Sequence, residues 1–255
     1  MLLAIDVGNT NIEIGIFDGD KLVGTWRMMT RTPRSSDEYG ITMISMLRND
    51  NIERQDINGV IISSVVPGIM HSLTNSIRKY FKTEPIIVGP GTKTGISIQT
   101  ENPKEVGADK ICDIVGAYYQ YGGPAIVIDF GTATTFDFVT KDGVFNAAVI
   151  APGIQISADA LWSKAAKLPN IEIIKPKSIL ARNTIHSMQA GLVYGYIGLV
   201  EYIIKKMKEE TGCPDARVIS TGGYAKIIIP ETNAIDLHDP VLSLRGIKVI
   251  YDKNK

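Results

Sequence analysis

The chain opens with a pattern of apolar and polar positions that predicts a strand, a turn and a hairpin. Residues 2–5 are apolar, and residues 6–11 read Asp-Val-Gly-Asn-Thr-Asn. Isoleucine then occupies every second position of residues 12–16, a period of two that predicts a strand with one buried face. Asp18-Gly19 is typical of a hairpin turn, and residues 21–28 are predicted to return as a third strand.

Helices and buried strands are predicted to alternate after this hairpin. Ser-Asp-Glu at residue 36 is typical of a helix start, and the predicted helix ends near Leu47. Residues 59–66 are apolar and β-branched, which is typical of a buried parallel strand. Apolar residues recur at helical spacing after Pro67, and residues 85–89 predict another short strand. This order predicts a mixed sheet with helices on its faces.

The second half of the chain repeats the order of the first. Its predicted strands and helix are residues 125–128, 134–139 and 144–150, a long helix from about Thr184 to Glu210, and a buried strand at 216–221. Asp129 follows Asp6 by 123 positions, and Asp142-Gly143 follows Asp18-Gly19 by 124. Offsets that differ by one predict an internal duplication with one insertion. We predict two domains, residues 1–115 and 116–255, with the boundary in or near a helix that begins at Asn102.

Composition excludes several classes of protein. Of the 255 residues, 27 are basic and 27 acidic, so no net charge points to nucleic acid or an anionic membrane. No apolar run approaches the roughly 20 residues of a membrane-spanning helix. The apolar start is short and has no basic leader, and Cys112 and Cys213 form no paired motif. These features predict a reduced, cytoplasmic protein without nucleic-acid or membrane partners.

The two Asp-x-Gly turns carry the first candidate chemistry. Glycine lets a phosphate approach the backbone N–H groups closely, and Thr10 and Asn11 can add side-chain donors. The Asp6 carboxylate cannot hold a phosphate directly, so we expect it to orient Mg²⁺ through water. Residues 129–132 would supply a second copy, and two such turns facing one cleft would hold the phosphates of a nucleotide. The alternative is two ordinary hairpins with similar turns. The Walker A spacing and the GxGxxG motif are both absent.

The helix predicted from Asn102 carries two acids on one side. Asn102 is a candidate N-cap, followed by Pro103 and by Glu105 as a capping-box partner. At 100° per residue the apolar positions cluster on one face, and Asp109 and Asp113 fall on the opposite face. Two solvated carboxylates are the simplest interpretation, and we keep this interpretation for Asp113.

Six motifs resemble one family when they are taken together and in order. They are "DVGNTN", "SSVVP", "ENPKEVGADK", "DFGTATTFD", "APGI" and "STGGYAK", and the likeness extends from Asp6 to about Gly246. The duplicated turn is similar to that of the actin/hexokinase/Hsp70 superfamily, and the combination resembles type III pantothenate kinase. The resemblance implies an α/β fold of duplicated ribonuclease H-like (actin-like ATPase) domains, with mixed sheets flanked by helices. It also implies transfer of the ATP γ-phosphate to the 4′-hydroxyl of pantothenate, the first step of coenzyme A synthesis.

The resemblance also implies roles for particular residues. Asp109 would be the proton acceptor for the substrate hydroxyl, and Asp129 would help bind a monovalent cation, K⁺ or NH₄⁺. Thr184 would contact substrate from the neighbouring subunit of a homodimer; otherwise it is a helix N-cap. The implied ATP-binding residues, used with Mg²⁺, are Asp6, Val7, Gly8, Asn9, Thr10, Asn11 and Thr132. The implied pantothenate-binding residues are Thr100, Gly107, Ala108, Asp109, Lys110 and Thr184.

Glycines in the second half carry two further expectations. Gly222-Gly223 follows a buried strand and fits the family's loop on the adenine side, or equally a strand-to-helix turn that needs small residues. Gly191, Gly195 and Gly198 form a smooth stripe on the long helix, although each glycine costs up to about 1 kcal/mol in a helix interior. Close packing of this helix within the fold or across a dimer would compensate, and the resemblance favours the dimer, because it implies a family that is dimeric through this region.

Three positions depart from the family's pattern. Lys110 replaces an arginine, Thr100 stands where an aromatic residue is common, and Ala147-Ala148 replace Gly-Gly. All three concern the acceptor rather than the phosphates. Two alternatives to a pantothenate kinase therefore stay open: a kinase of another small alcohol, and a nucleotide-binding regulator without turnover.

Overall fold

Two mixed β-sheets with flanking helices make up the structure, a computed structural model of residues 1–255. The strands are β1 (Leu2–Val7), β2 (Asn11–Asp18), β3 (Lys21–Met29), β4 (Gly59–Ser64), β5 (Ile86–Ile87), β6 (Ser97–Ile98), β7 (Ala125–Phe130), β8 (Ala133–Val139), β9 (Val144–Pro152), β10 (Arg217–Thr221) and β11 (Leu237–His238). The helices are α1 (Ser36–Asn49), α2 (Pro67–Ser76), α3 (Ala108–Tyr121), α4 (Ile154–Lys164), α5 (Thr184–Thr211), α6 (Ala225–Ile228) and α7 (Leu242–Asn254). No helix combines the length and the apolar character needed to cross a membrane.

The contacts of the chain divide it into two units. Unit 1 comprises residues 1–97, 101–120 and 241–255, and unit 2 comprises residues 98–100 and 121–240. This division differs from the predicted single boundary after residue 115. The reason is that α7 packs on β1, β2 and β4 of the first sheet and so returns to unit 1.

The sheet of unit 1 has the order β3-β2-β1-β4-β5. Strand β1 pairs antiparallel with β2 and parallel with β4. The isoleucines of β2 pack in a core with the buried faces of α1 and α2, as their period of two predicts. Helix α1 begins with a full capping box, in which the Ser35 side chain accepts from the Glu38 N–H and Glu38 accepts from the Ser35 N–H.

The sheet of unit 2 repeats this topology. Its order is β11-β10-β7-β8-β9, with the short strand β6 added beside β9. Asp6 and Asp129 are both the fifth residue of the central strand, in β1 and β7 respectively. Both Asp-Gly hairpins are present, with Gly19 at φ +58° and Gly143 at φ +74°. The predicted fold class is therefore confirmed, and the duplication extends to strand order and register.

Helix α5 covers one face of the second sheet and spans Thr184–Thr211, close to its predicted limits. Its N-cap is Asn183, whose side chain accepts from the His186 N–H, and Thr184 is the first helical residue. Helix α3 begins at Ala108 rather than Asn102. Pro103–Glu105 form only a single 3₁₀ turn, and the extended backbone of Val106 separates this turn from the helix.

Candidate functional site

The first Asp-x-Gly turn is stabilised by hydrogen bonds from Thr30, the residue that follows β3. The Gly8 N–H donates to the Asn11 carbonyl at 3.0 Å, which closes the turn. Thr30 donates its hydroxyl to the Gly8 carbonyl at 2.7 Å and its N–H to the Thr10 carbonyl at 2.9 Å. A Cβ at Gly8 would meet the Asn11 oxygen at 3.2 Å, so a larger residue would press on the turn. The turn is thus a tightly tied backbone loop that exposes residues 9–11.

Asp6 lies in a row of polar residues that crosses the first sheet. It pairs with Glu13 on β2 and with Ser63 on β4, and Glu13 pairs in turn with Arg27 on β3. The Arg27 guanidinium lies 2.6 Å from the Glu13 carboxylate. Burial raises the pKa of Glu13, and the charge and hydrogen bond of Arg27 oppose that rise. Sequence patterns alone do not identify Glu13 or Arg27, because their positions beside Asp6 depend on the pairing of β1, β2 and β3.

Helix α3 brings further acids to the same side of unit 1. Burial raises the pKa of the Cys112 thiol well above its usual value, and Asp6, Asp113 and Asp109 contribute to that rise. The start of the helix lies against the end of the first sheet, because a Cβ at Gly107 would meet the Val65 side chain at 3.5 Å. Asp109 lies in the first turn of the helix, and its Oδ1 accepts from the Lys110 N–H at 2.7 Å. The Val65 N–H donates to the Val7 carbonyl at 3.1 Å, so Asp6 on β1 and Asp109 on α3 belong to neighbouring elements of unit 1, and their shared site stays a prediction.

Asp113 is not the solvated carboxylate that the sequence predicted. Its side chain is 4% exposed, and it accepts a short hydrogen bond from the Ser243 hydroxyl. Helix α7 covers this face of α3, and the two backbones pack closely where Gly116 meets Leu242 and Gly246 meets Cys112. A helical wheel of α3 cannot show this burial, because the helix that causes it, α7, lies at the other end of the sequence.

The residues before Asp109 leave little empty space. A Cβ at Gly107 would clash with the Asp109 carboxylate, so the glycine makes room for the acid itself. Ala108 is buried, at 9% exposure. The sequence predicts instead that these two small residues make room for a ligand, and the pantothenate contacts of residues 107–110 stay a prediction.

The second Asp-x-Gly turn lies in unit 2 and is enclosed by glycines. The Gly131 N–H donates to the Ala133 carbonyl at 3.2 Å. A Cβ at Gly131 would lie 2.9 Å from one oxygen of Asp129. A Cβ at Gly222, whose φ is +89°, would lie 2.5 Å from the other oxygen and 2.6 Å from the Phe130 backbone nitrogen. A larger residue at position 222 would therefore clash with Asp129. The two roles predicted for Gly222-Gly223, a loop on the adenine side and a strand-to-helix turn, do not include this contact.

The threonines that follow this turn are fixed by hydrogen bonds. The Thr134 hydroxyl shares a short hydrogen bond with the Tyr196 hydroxyl, which also donates to the Pro152 carbonyl at 3.1 Å. Thr135 donates to the buried Asp137 at 3.0 Å. Burial raises the pKa of Tyr196, so its hydroxyl stays protonated and can donate. Thr132, the predicted ATP contact, is exposed at the tip of the turn.

The other residues that are predicted to lie near the alcohol substrate belong to unit 2. Thr100 follows β6, and its hydroxyl oxygen is buried without a hydrogen-bond partner. Ala147 is partly buried and Ala148 is exposed on β9. Thr184 is exposed at the start of α5. No group of three or more carboxylate, thiol or imidazole side chains in residues 1–255 is arranged to hold a metal ion.

The glycine stripe of α5 is exposed. A Cβ at Gly191, Gly195 or Gly198 would meet nothing within 4 Å, so no part of the chain packs on this stripe. Thr184 lies seven residues before Gly191, and Tyr202 lies four after Gly198, which places both on the same helix face. The Tyr202 side chain is 61% exposed. Packing within the fold therefore does not explain the stripe.

Solved structures of low sequence identity share this fold. A Campylobacter jejuni protein assigned to a Baf family of transcriptional activators has a TM-score of 0.61 at 18% identity, over 99% of this chain and 98% of that one. Component A of (R)-2-hydroxyglutaryl-CoA dehydratase from Acidaminococcus fermentans has a TM-score of 0.57 at 15% identity, over 100% and 99%. A ROK family glucokinase from Streptomyces griseus, solved with glucose and AMPPNP, has a TM-score of 0.54 at 10% identity, over 96% and 97%. These likenesses define the class of the fold, that of the actin-like ATPases.

Sequence comparison identifies the family within that class. The family model for type III pantothenate kinase matches residues 2–206. A type III pantothenate kinase from Agathobacter rectalis is 57% identical over 253 residues, which is 99% of this chain and 97% of that protein. The chain therefore belongs to the type III pantothenate kinase family, and it is an ATP-dependent phosphotransferase.

Proposed function

We propose that Asp109 accepts the proton of the substrate hydroxyl in the reaction of this enzyme. As a type III pantothenate kinase, the chain transfers the γ-phosphate of ATP to the 4′-hydroxyl of pantothenate. The observation that supports the role of Asp109 is the packing of the start of α3 against Val65, whose N–H donates to the Val7 carbonyl of the first Asp-x-Gly turn at 3.1 Å. An acid there can orient the alcohol and accept its proton late in a loose phosphoryl-transfer transition state.

Each Asp-x-Gly turn is proposed to bind phosphate oxygens of ATP. In unit 1 the proposed contacts are Asp6, the backbone of residues 7–9, Thr10 and Asn11. In unit 2 the proposed contact is Thr132. The tied backbone of the first turn supports this role, because a Cβ at Gly8 would press on it. The carboxylate oxygens of Asp6 and Asp129 are hard ligands of the kind that Mg²⁺ and monovalent cations prefer.

These donors fit the two cations that the family implies. Asp6 would orient Mg²⁺ through water, and Asp129 would hold K⁺ or NH₄⁺. The cations would neutralise charge on the phosphates when bound. The two glycines beside the Asp129 carboxylate support its role, since a Cβ at Gly131 or Gly222 would occupy the space next to its oxygens.

The acceptor specificity of the enzyme can be tested at the positions that depart from the family pattern. Lys110→Arg and Thr100→Tyr restore the residues common in the family, and arginine adds a planar bidentate fork. We expect both changes mainly to lower the apparent KM for pantothenate in a coupled ADP-release assay, by about threefold to tenfold, the effect of roughly one hydrogen bond.

Two results would count against pantothenate as the acceptor in that assay. One is a higher KM for pantothenate in both variants. The other is a wild-type enzyme that prefers another alcohol, whose turnover the same two changes impair. Unchanged KM for ATP in both variants is the internal control, because neither residue belongs to a phosphate turn.

We also propose a homodimer through the exposed stripe of α5. Thr184, Gly191, Gly195, Gly198 and Tyr202 share one face, and glycines allow two helices to approach closely. Light scattering at micromolar concentration should therefore give twice the 27.8 kDa mass of one chain. Gly195→Leu should weaken association by about tenfold or more, because added side chain overpacks the contact.

The matched control is Gly68→Leu, a glycine of α2 that also has open space around it. This variant should stay dimeric. A fully active monomeric wild type would exclude Thr184 from the active site and would contradict the dimer.

The cytoplasm is the proposed location. The use of ATP supports this, as do two cysteines, Cys112 and Cys213, that form no disulfide.

A further inference from the structure

A row of four paired residues crosses the first sheet at the level of Asp6. Arg27 on β3 pairs with Glu13 on β2, Glu13 with Asp6 on β1, and Asp6 with Ser63 on β4. Directly paired residues of neighbouring strands point to the same side of a sheet. The row lies on the face opposite the core of α1 and α2, because that core takes Ile5, Ile12 and Ile14 from the alternate positions.

Glu13 and Arg27 form an ion pair within this row. The guanidinium nitrogen lies 2.6 Å from the carboxylate oxygen, and the Glu13 side chain is 26% exposed. Arg27 lies on the edge strand and is 54% exposed. Strand register thus places a half-buried carboxylate with one cationic partner at the position paired with Asp6, on the same face of the sheet.

Two adjacent carboxylates have a clear electrostatic consequence for a polyanion. Like charges at paired positions repel each other, and a triphosphate brought to the Asp6 turn adds further negative charge. Arg27 offsets the charge of Glu13 in part. A divalent cation bound to the triphosphate would offset the negative charge that Arg27 leaves uncompensated. The net charge of the Glu13–Arg27 pair should therefore determine how strongly ATP binding depends on the cation.

We propose that Glu13 and Arg27 are positioning residues that set the Mg²⁺ dependence of ATP binding. Glu13 strengthens the acidic environment in which Asp6 orients Mg²⁺, and Arg27 holds Glu13 in place and limits its repulsion of ATP. This inference rests on the proposed function in one respect, the binding of ATP at the Asp6 turn. It does not depend on which alcohol is phosphorylated.

The two variants that test the proposal should act in opposite directions. Calorimetry measures the dissociation constant of a non-hydrolysable ATP analogue in EDTA and in Mg²⁺. The ratio used here is the constant in EDTA divided by the constant in Mg²⁺. Glu13→Gln keeps an acceptor for Arg27 and removes a charge, so binding in EDTA should tighten and binding in Mg²⁺ should weaken. Arg27→Gln leaves the Glu13 charge unopposed, so binding in EDTA should weaken most. The ratio should fall in the first variant and rise in the second, by about threefold to tenfold each, as expected for single charges near a protein surface.

Glu84→Gln is the matched control, because Glu84 makes an equally short but exposed ion pair with Arg78 at 2.6 Å. It should leave the ratio unchanged. A purely structural pair would make Glu13→Gln and Arg27→Gln change binding equally in both buffers, and that result would overturn the proposal. An unchanged ratio in both variants would overturn it too. If one variant fails to fold, the direction of change in the other decides.

The outcome for the proposed function is separable. A wild type that binds the analogue with the expected Mg²⁺ dependence but phosphorylates no alcohol would contradict the proposed function and leave this inference standing. A wild type that does not bind the analogue would contradict both.

Discussion

Replacing Asp109 by asparagine should lower turnover with pantothenate by about 10²–10⁴-fold, the usual contribution of a general base. The change keeps the shape of the side chain and removes its ability to accept a proton. The Asp109 carboxylate accepts the Lys110 N–H, and an asparagine oxygen can accept it equally well. The start of α3 should therefore keep its conformation.

ATP affinity should change by less than about threefold in Asp109→Asn, because Asp109 belongs to neither phosphate turn and its carboxylate accepts from the Lys110 N–H of its own helix. Single-turnover rates and calorimetry with an ATP analogue separate these two effects. The pairing of a large loss of rate with an intact affinity distinguishes a proton acceptor from a residue that binds ATP.

Asp113→Asn is the control on the same helix. Asp113 is buried and accepts from Ser243 where α7 covers α3, so its replacement should affect the free energy of unfolding rather than the rate of folded enzyme. Equal losses of turnover in folded Asp109→Asn and Asp113→Asn would contradict a specific role for Asp109.

Removing the Asp129 carboxylate should have the second largest effect. Asp129→Ala should abolish the dependence on K⁺ or NH₄⁺ and lower turnover by roughly 10²–10³-fold, the range reported when one electrostatic contact of a transition state is lost. Gly131 and Gly222 leave space for the carboxylate, and no other side chain of residues 129–132 carries a charge.

Rates of wild type and variant in potassium, ammonium and sodium buffers measure the dependence. Asp142→Ala, at the exposed tip of the β8–β9 hairpin, should keep both the dependence and the rate. Equal wild-type rates in sodium and potassium would contradict the cation assignment, and they would leave a phosphate role for the turn open to separate tests.

Local patterns were sufficient to predict much of the fold. The period of two in residues 12–16, the two Asp-Gly hairpins and the limits of α5 each depend on neighbours in sequence. The duplication could also be predicted, because corresponding turns preserve their spacing. Helix α7 shows the limit of this reasoning, since its packing on β1, β2 and β4 depends on a return of the chain from unit 2.

The candidate site was predicted less completely than the fold. Two of its properties, the pairing of strands and the burial of side chains by distant elements, cannot be derived from local sequence. Asp6 and Asp109 carry recognisable motifs, whereas Glu13 becomes relevant only when β1 and β2 pair at Asp6. The sequence predicts a solvated Asp113, because a helical wheel describes one helix alone, whereas the folded chain buries it. Gly222 fits a strand-to-helix turn by sequence, and only the folded chain shows that a Cβ there would clash with the Asp129 carboxylate.

The most direct test of the proposed reaction is ADP release by purified wild-type enzyme with ATP, Mg²⁺, K⁺ and a panel of small alcohols, together with the mass and phosphorylation site of the product. We predict that pantothenate supports the fastest release and that the product carries one phosphate on the 4′-hydroxyl. An enzyme that binds ATP but phosphorylates no alcohol of the panel, and that Asp109→Asn leaves unchanged, would contradict the proposal.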